Sequence, residues 1–153
     1  MTPPSSADRD RLFMEQALAA AREADAPYGA LVARGDTILA VAGNATKQRH
    51  DATAHAEVQA LRLAGAALQT HNLAGTTLYA TAEPCPMCAA AALWAGVSRI
   101  VYGVSIDELQ RLGQRQIELT TAQVVAAAPS FASVTVEGGL CAEEAQALFK
   151  AAQ

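Results

Sequence analysis

Apolar positions along this chain follow two spacings that take turns: recurrence every three to four residues, and short runs of five or six that are continuous or alternate. The first helical stretch carries Leu12, Phe13, Gln16, Leu18 and Ala20 among good helix formers. Capped by Asp8 or Asp10, it is expected to run to about Ala24, where Asp25-Ala26-Pro27 stops it. Two β-rich runs follow, Tyr28 to Ala33 and Thr37 to Ala42, joined by the turn Arg34-Gly35-Asp36 as a hairpin. A loop from Asn44 to Thr53 leads to a second helix, Ala54 to Leu68, with Val58, Leu61 and Ala64 or Leu68 on one face. The run TTLYAT (76–81) reads as a buried strand. Pro84 or Pro86 opens a third helix through Trp94, and Gly96 ends it. Arg99 to Val104 is a further strand, Leu109 to Leu112 a helical turn, Ser133 to Val136 a last strand, and Ala142 to Ala151 a final helix with Leu148 and Phe149 packing inward. Alternation of this kind predicts α/β layers, a mixed sheet flanked by helices.

Length is compatible with one core: 153 residues suit a single domain, here 8–153, and Pro3, Pro4, Ser5 and Ser6 oppose regular structure in a flexible tail over 1–7. Hydrophobic residues at 52% against charged residues at 17% exclude a disordered chain. No apolar run reaches the roughly 20 residues needed to cross a bilayer, and MTPPSSADRD lacks the basic and apolar regions of a secretory signal, so a cytoplasmic protein is expected. In that reducing compartment three cysteines point to metal binding or catalysis rather than a disulfide framework. A net charge of -4 without a Lys/Arg cluster argues against a long nucleic acid as partner.

Cys85 and Cys88 stand three positions apart at a helix start. Alone, such a pair reads equally as a redox dithiol, part of a metal site or two core thiols. His55-Ala56-Glu57, also at a helix start, changes the balance. One His and two Cys supply three ligands for zinc, and catalytic zinc sites keep a fourth position open. Glu57 has no place in so soft a ligand set, but a carboxylate beside zinc-activated water can move its proton. A redox reading leaves His55 and Glu57 without a role.

H-x-E followed by P-C-x-x-C, here His55-Ala56-Glu57 and Pro84-Cys85-Pro86-Met87-Cys88, is the signature of zinc deaminases acting on nucleobases. The chain therefore resembles the cytidine deaminase-like superfamily from about Tyr28 to Gly103. With His55 in its first half-motif it looks closer to the branch holding bacterial guanine deaminase and the tRNA adenosine deaminases. The resemblance implies a three-layer α/β/α sandwich around a mixed five-stranded sheet, one zinc per subunit, a homodimer, and hydrolytic removal of an amino group from a heteroaromatic ring. It implies that His55, Cys85 and Cys88 hold zinc, that Glu57 is the catalytic proton carrier, and that backbone near Ala56 orients water or substrate. Asn44 matches an asparagine that hydrogen-bonds the base, and Pro27-Tyr28-Gly29-Ala30 resembles the Pro-Phe-Gly-Ala element of the pocket. Trp94, six residues after Cys88, stands where guanine deaminases of this fold carry tryptophan. Leu112-Gly113-Gln114-Arg115-Gln116 replaces their acidic purine contacts, making Gln114 and Gln116 candidate substrate contacts. The expected substrate is thus a free nucleobase, nucleoside or related aminated heterocycle, guanine deaminase-like, with nucleic acid not expected. The alternatives are a tRNA-specific adenosine deaminase and a non-catalytic zinc module closed by Cys141 or His50.

Overall fold

A computed structural model describes residues 5–151. Its elements run α1 (Ser6–Glu23), β1 (Gly29–Arg34), β2 (Thr37–Gly43), α2 (Thr46–Arg49), α3 (Ala56–Leu68), β3 (Thr77–Ala82), α4 (Pro86–Ala95), β4 (Arg99–Val104), α5 (Ile106–Arg111), α6 (Thr121–Ala126), β5 (Thr135–Glu137) and α7 (Ala142–Ala151). The sheet order is β2-β1-β3-β4-β5. The β1–β2 and β1–β3 pairs are antiparallel, while β3–β4 and β4–β5 are parallel, so the sheet is mixed as expected. α3 connects β2 to β3, and α4 is the crossover that lets β3 and β4 run parallel.

Pleat alternation divides the core into two layers. Leu31 opposes Tyr79, which opposes Val101, and this rung joins Phe13, Met14, Leu18, Leu109 and Phe149 on the face covered by α1, α5 and α7. One residue along, Val32, Leu78 and Ile100 form a rung packed against Ala56, Ala60, Ala64 and Ala92 of α3 and α4. Alanine on these two helices permits close approach to the sheet. On the other face Gly29 does the same for α1, because a Cβ there would collide with the Ala17 carbonyl.

One polar network ties α1 to the sheet. Asp10, on the inner side of α1, receives a bidentate grip from Arg99 at 2.9 and 2.6 Å and the Tyr79 hydroxyl at 2.6 Å. The Arg99 guanidinium, followed by the Tyr79 hydrogen bond, holds the Asp10 carboxyl below its ordinary range despite burial. Arg99 continues to Glu137 at 2.8 Å, reaching the edge strand β5.

Several boundaries differ from expectation. Ser5, not Asp8 or Asp10, caps α1 by accepting the Asp8 N–H, so Ser6 and Ala7 are helical rather than tail; residues 1–4 of that expected tail lie outside the described residues. The loop after Asn44 contains α2, and the segment before β5 contains α6, whose Thr120 and Gln123 form a capping box. Ser105 caps α5, with Asp107 and Glu108 in its first turn.

Candidate metal centre and its cavity

His55 and Cys85 are the N-cap residues of α3 and α4, both in extended backbone conformation, and neither spends its side chain on a cap hydrogen bond. Cys88 lies one turn inside α4, at the position whose N–H an N-cap side chain ordinarily accepts, so the Cys-x-x-Cys spacing brings both sulfurs to one side of the helix start. Pro86 at the first helical position presets this geometry. The two helix starts converge. His55 Nδ1 stands 3.6 Å from Cys85 Sγ and 3.5 Å from Cys88 Sγ, and all three donor atoms lie within 4.8 Å of one another.

These distances fit zinc. Tetrahedral bonds of about 2.3 Å to sulfur and about 2.05 Å to nitrogen demand an N–S edge of about 3.6 Å. The hydrogen bond from Cys88 brings the Cys85 thiol down to about 4, with His55 adding to the effect, while the same bond and burial push Cys88 far up. Contact with Cys85 raises His55. Such a group already tends to hold a thiolate, which metal binding requires. Among the described residues, no fourth side chain joins this cluster. Cys141 instead receives Arg11 Nη1 at 3.3 Å, and His50 is an exposed left-handed residue ending α2. The closed zinc module has no support in this geometry.

Glu57, in the first turn of α3, is 6% exposed. Burial first, and the neighbouring Cys85 charge second, push its carboxyl up to about 7, and it hydrogen-bonds Cys88. A carboxyl balanced near neutrality is suited to accept and return a proton. It opens onto a cavity of about 670 Å³, of a size for a heterocycle, which is also lined by His55, Cys85, Tyr28, Asn44, Thr46, Arg115 and Gln116. Tyr28 packs edge-on against Phe149 with centroids 5.2 Å apart, and its hydroxyl bonds Gln116. Burial above all raises that phenol to about 12, so Tyr28 stays a neutral wall.

Two of the substrate candidates lie outside the cavity lining. Trp94 is 76% exposed and meets Phe131 edge-on at 5.0 Å, outside the cavity lining, because the helix turns its end away from the metal cluster. Gln114 is outside it too, its backbone N–H bonded to the Leu109 carbonyl in the turn that ends α5. The Ala56 side chain is fully buried in the α3 core, which leaves the expectation about its backbone untouched. Other lining residues, Thr46 and Glu83 among them, were not singled out by sequence. Arg115 lies between the candidate glutamines. Glu83 is 5% exposed, and its two oxygens accept the N–H groups of Ile106 at 2.9 Å and Thr121 at 2.8 Å. It thereby ties the starts of α5 and α6, and the segment between them, to the strand that delivers Cys85. Partners 23 and 38 residues away leave no local signal.

Fold and site together define a zinc-binding deaminase domain with the cytidine deaminase-like architecture. The chain belongs to the family described as the cytidine and deoxycytidylate deaminase zinc-binding region, matched over residues 7–104. A tRNA-specific adenosine deaminase of Agrobacterium fabrum is 44% identical over 95 residues, a stretch covering 60% of this chain and 62% of that relative. Among solved structures, a tRNA:A34 deaminase studied for A-to-I editing at the wobble position superposes with a TM-score of 0.76 at 33% identity, covering 90% of this chain and 98% of that one. The guanine deaminase from Nitrosomonas europaea superposes with a TM-score of 0.80 at 27% identity, covering 99% and 86%.

Proposed function

We propose that this chain is a zinc-dependent hydrolytic deaminase of purine rings, acting on adenosine within tRNA. The observation that carries the chemistry is Glu57, a buried carboxyl opening on the cavity beside a His-Cys-Cys cluster whose N–S edges are 3.5 and 3.6 Å. His55, Cys85 and Cys88 are the residues that would hold zinc, whose Lewis acidity makes water a nucleophile at neutral pH. Glu57 takes a proton from the attacking water and delivers it to the ring nitrogen. Once the oxygen has bonded the amino-bearing carbon, Glu57 takes the second proton from that new hydroxyl and passes it to the amine; the C–N bond then breaks, giving ammonia and a ring carbonyl. Tyr28 supplies an apolar wall, and Asn44 and Gln116 supply polar partners for the ring edge.

The substrate preference rests on the relatives, and it revises the expectation that nucleic acid is not a partner. Net charge averages over the surface. The fold gathers cations from separate parts of the chain: α2, whose Thr46 lines the cavity, exposes Lys47 and Arg49, and Arg115 lines the same cavity. Displacement of Trp94 from the cavity also removes one reason to favour a small free base. Guanine is the second reading, favoured by the guanine deaminase that superposes over 99% of the chain. A homodimer through α3 and α4, where Leu63 and Trp94 are exposed, is part of the proposal, and sedimentation equilibrium reads its mass directly.

The test is zinc-loaded protein with an anticodon stem-loop RNA, analysed for inosine, and with guanine, analysed for ammonia. Glu57→Gln is expected to keep zinc and lose turnover by at least about a hundredfold. Retained turnover in that variant overturns the mechanism, and ammonia from guanine with no inosine in RNA overturns the tRNA reading.

A further inference from the structure

Asn44 enters the cavity from the end of β2, with its backbone N–H fixed on the Tyr28 carbonyl at 2.9 Å. Its side-chain amide is held as tightly. Nδ2 donates to Asp25 Oδ1 at 2.7 Å and to Thr46 Oγ1 at 2.9 Å, so both amide hydrogens have acceptors. Asp25 is anchored in turn: Oδ2 accepts the Gln48 N–H at 2.8 Å, and its main-chain carbonyl accepts Lys47 Nζ at 3.2 Å. The two oxygens of one carboxylate thus bridge the Asn44 side chain and the backbone of α2, 19 and 23 residues away. A flipped Asn44 amide would set its oxygen against the Asp25 carboxylate, so only one orientation is compatible with this bridge.

We propose that Asp25 is a positioning residue that locks the Asn44 amide before substrate arrives, so that Asn44 and Thr46 meet the ring as a fixed acceptor and donor pair. Asn44 has its Oδ1 lone pairs left. Thr46, which already accepts from Asn44, has its hydroxyl hydrogen left, with no protein acceptor among the described residues. A ring edge with neighbouring donor and acceptor atoms complements that pair. Fixing the amide in the free protein removes an ordering cost from binding, which lowers KM more than it raises kcat. The inference rests on the reading of Asn44 as a base contact.

The test combines two readouts on zinc-loaded protein. The first is hydrogen exchange of the Asn44 side-chain amide by NMR: slow in the parent, and accelerated at least about tenfold in Asp25→Ala. The second is binding of 8-azaguanine and of an anticodon stem-loop RNA in a double-mutant cycle. Asp25→Ala is expected to weaken whichever probe binds by about tenfold. Asp25→Asn, which keeps one acceptor, recovers most of that loss, and in an Asn44→Ala background Asp25→Ala costs nothing further. An unchanged exchange rate, or an undiminished Asp25 effect in the Asn44→Ala background, overturns the positioning role. If Asn44→Ala by itself leaves binding of both probes unchanged, or neither probe binds the parent, the base-contact reading of Asn44 falls and the inference falls with it. In that case the exchange measurement still reports whether Asp25 holds the amide.

Discussion

Replacing Glu83 by Gln keeps shape and volume and changes only hydrogen bonding, at a residue whose two oxygens each hold the first N–H of a helix. Gln retains one acceptor, but its amide NH2 faces the other backbone N–H, donor against donor. One buried N–H is left unpaired, at about 1–3 kcal/mol, and the surviving bond falls from charge-assisted to neutral, at about 1 kcal/mol more. The expected loss is about 2–4 kcal/mol, or roughly 4–16 °C in Tm for a domain of this size. Function should suffer separately, because Arg115 and Gln116 lie on the segment between the two released helix starts. KM is therefore expected to rise more than kcat falls. Calorimetry at fixed zinc concentration gives the first quantity, steady-state kinetics the second, and amide exchange at Ile106 and Thr121 localises the effect. A Tm within about 1 °C of the parent, or Ile106 and Thr121 amides that still exchange slowly, would refute the reasoning.

Acid should weaken the Asp10 grip. Arg99 and Tyr79 lower the folded carboxyl below its unfolded value of about 3.9, so the stabilisation is complete above that pH and is lost as pH falls through the folded value. Urea unfolding should show Asp10→Asn less stable than the parent at pH 7, with the gap narrowing below about pH 4. Gly29→Ala should cost at least about 1–3 kcal/mol in the same assay, because the added methyl meets backbone of α1 rather than a side chain that can rotate away. Stripping metal with a strong chelator should abolish turnover, and stoichiometric zinc should restore it. Activity that survives complete removal argues against the role given to His55, Cys85 and Cys88.

Local periodicity carried much of the fold. β4 and α7 occupy the expected residues, and α3 and α4 differ from expectation only at their ends, because each has a strong apolar pattern and an unambiguous stop such as Gly96. α6 was legible in principle from Thr120-x-x-Gln123, but its alanine-rich body has no amphipathic face to draw attention. α2 is different. Four residues do not make a helix alone, and its Gln48 N–H is held by Asp25, more than twenty positions earlier.

At the site, the chemical identity of the cluster was present in the sequence, since a His-x-Glu and a Cys-x-x-Cys are short motifs whose members share one helix start each. Their convergence to 3.5 and 3.6 Å belongs to the sheet, which places α3 and α4 side by side. The cavity wall could not be read in that way. Trp94 and Gln114 looked as well placed as Gln116 along the chain, and only the fold decided that Gln116 lines the cavity while the others do not. Asp10, Asp25 and Glu83 were ordinary acidic residues by spacing, yet all three join elements distant in sequence. The sequence by itself determined most of the elements and the residue types of the metal cluster, because both depend on neighbours within a few residues. Tertiary structure decided which side chains surround those groups, because burial, orientation and buried hydrogen bonds depend on partners that only the folded chain brings near.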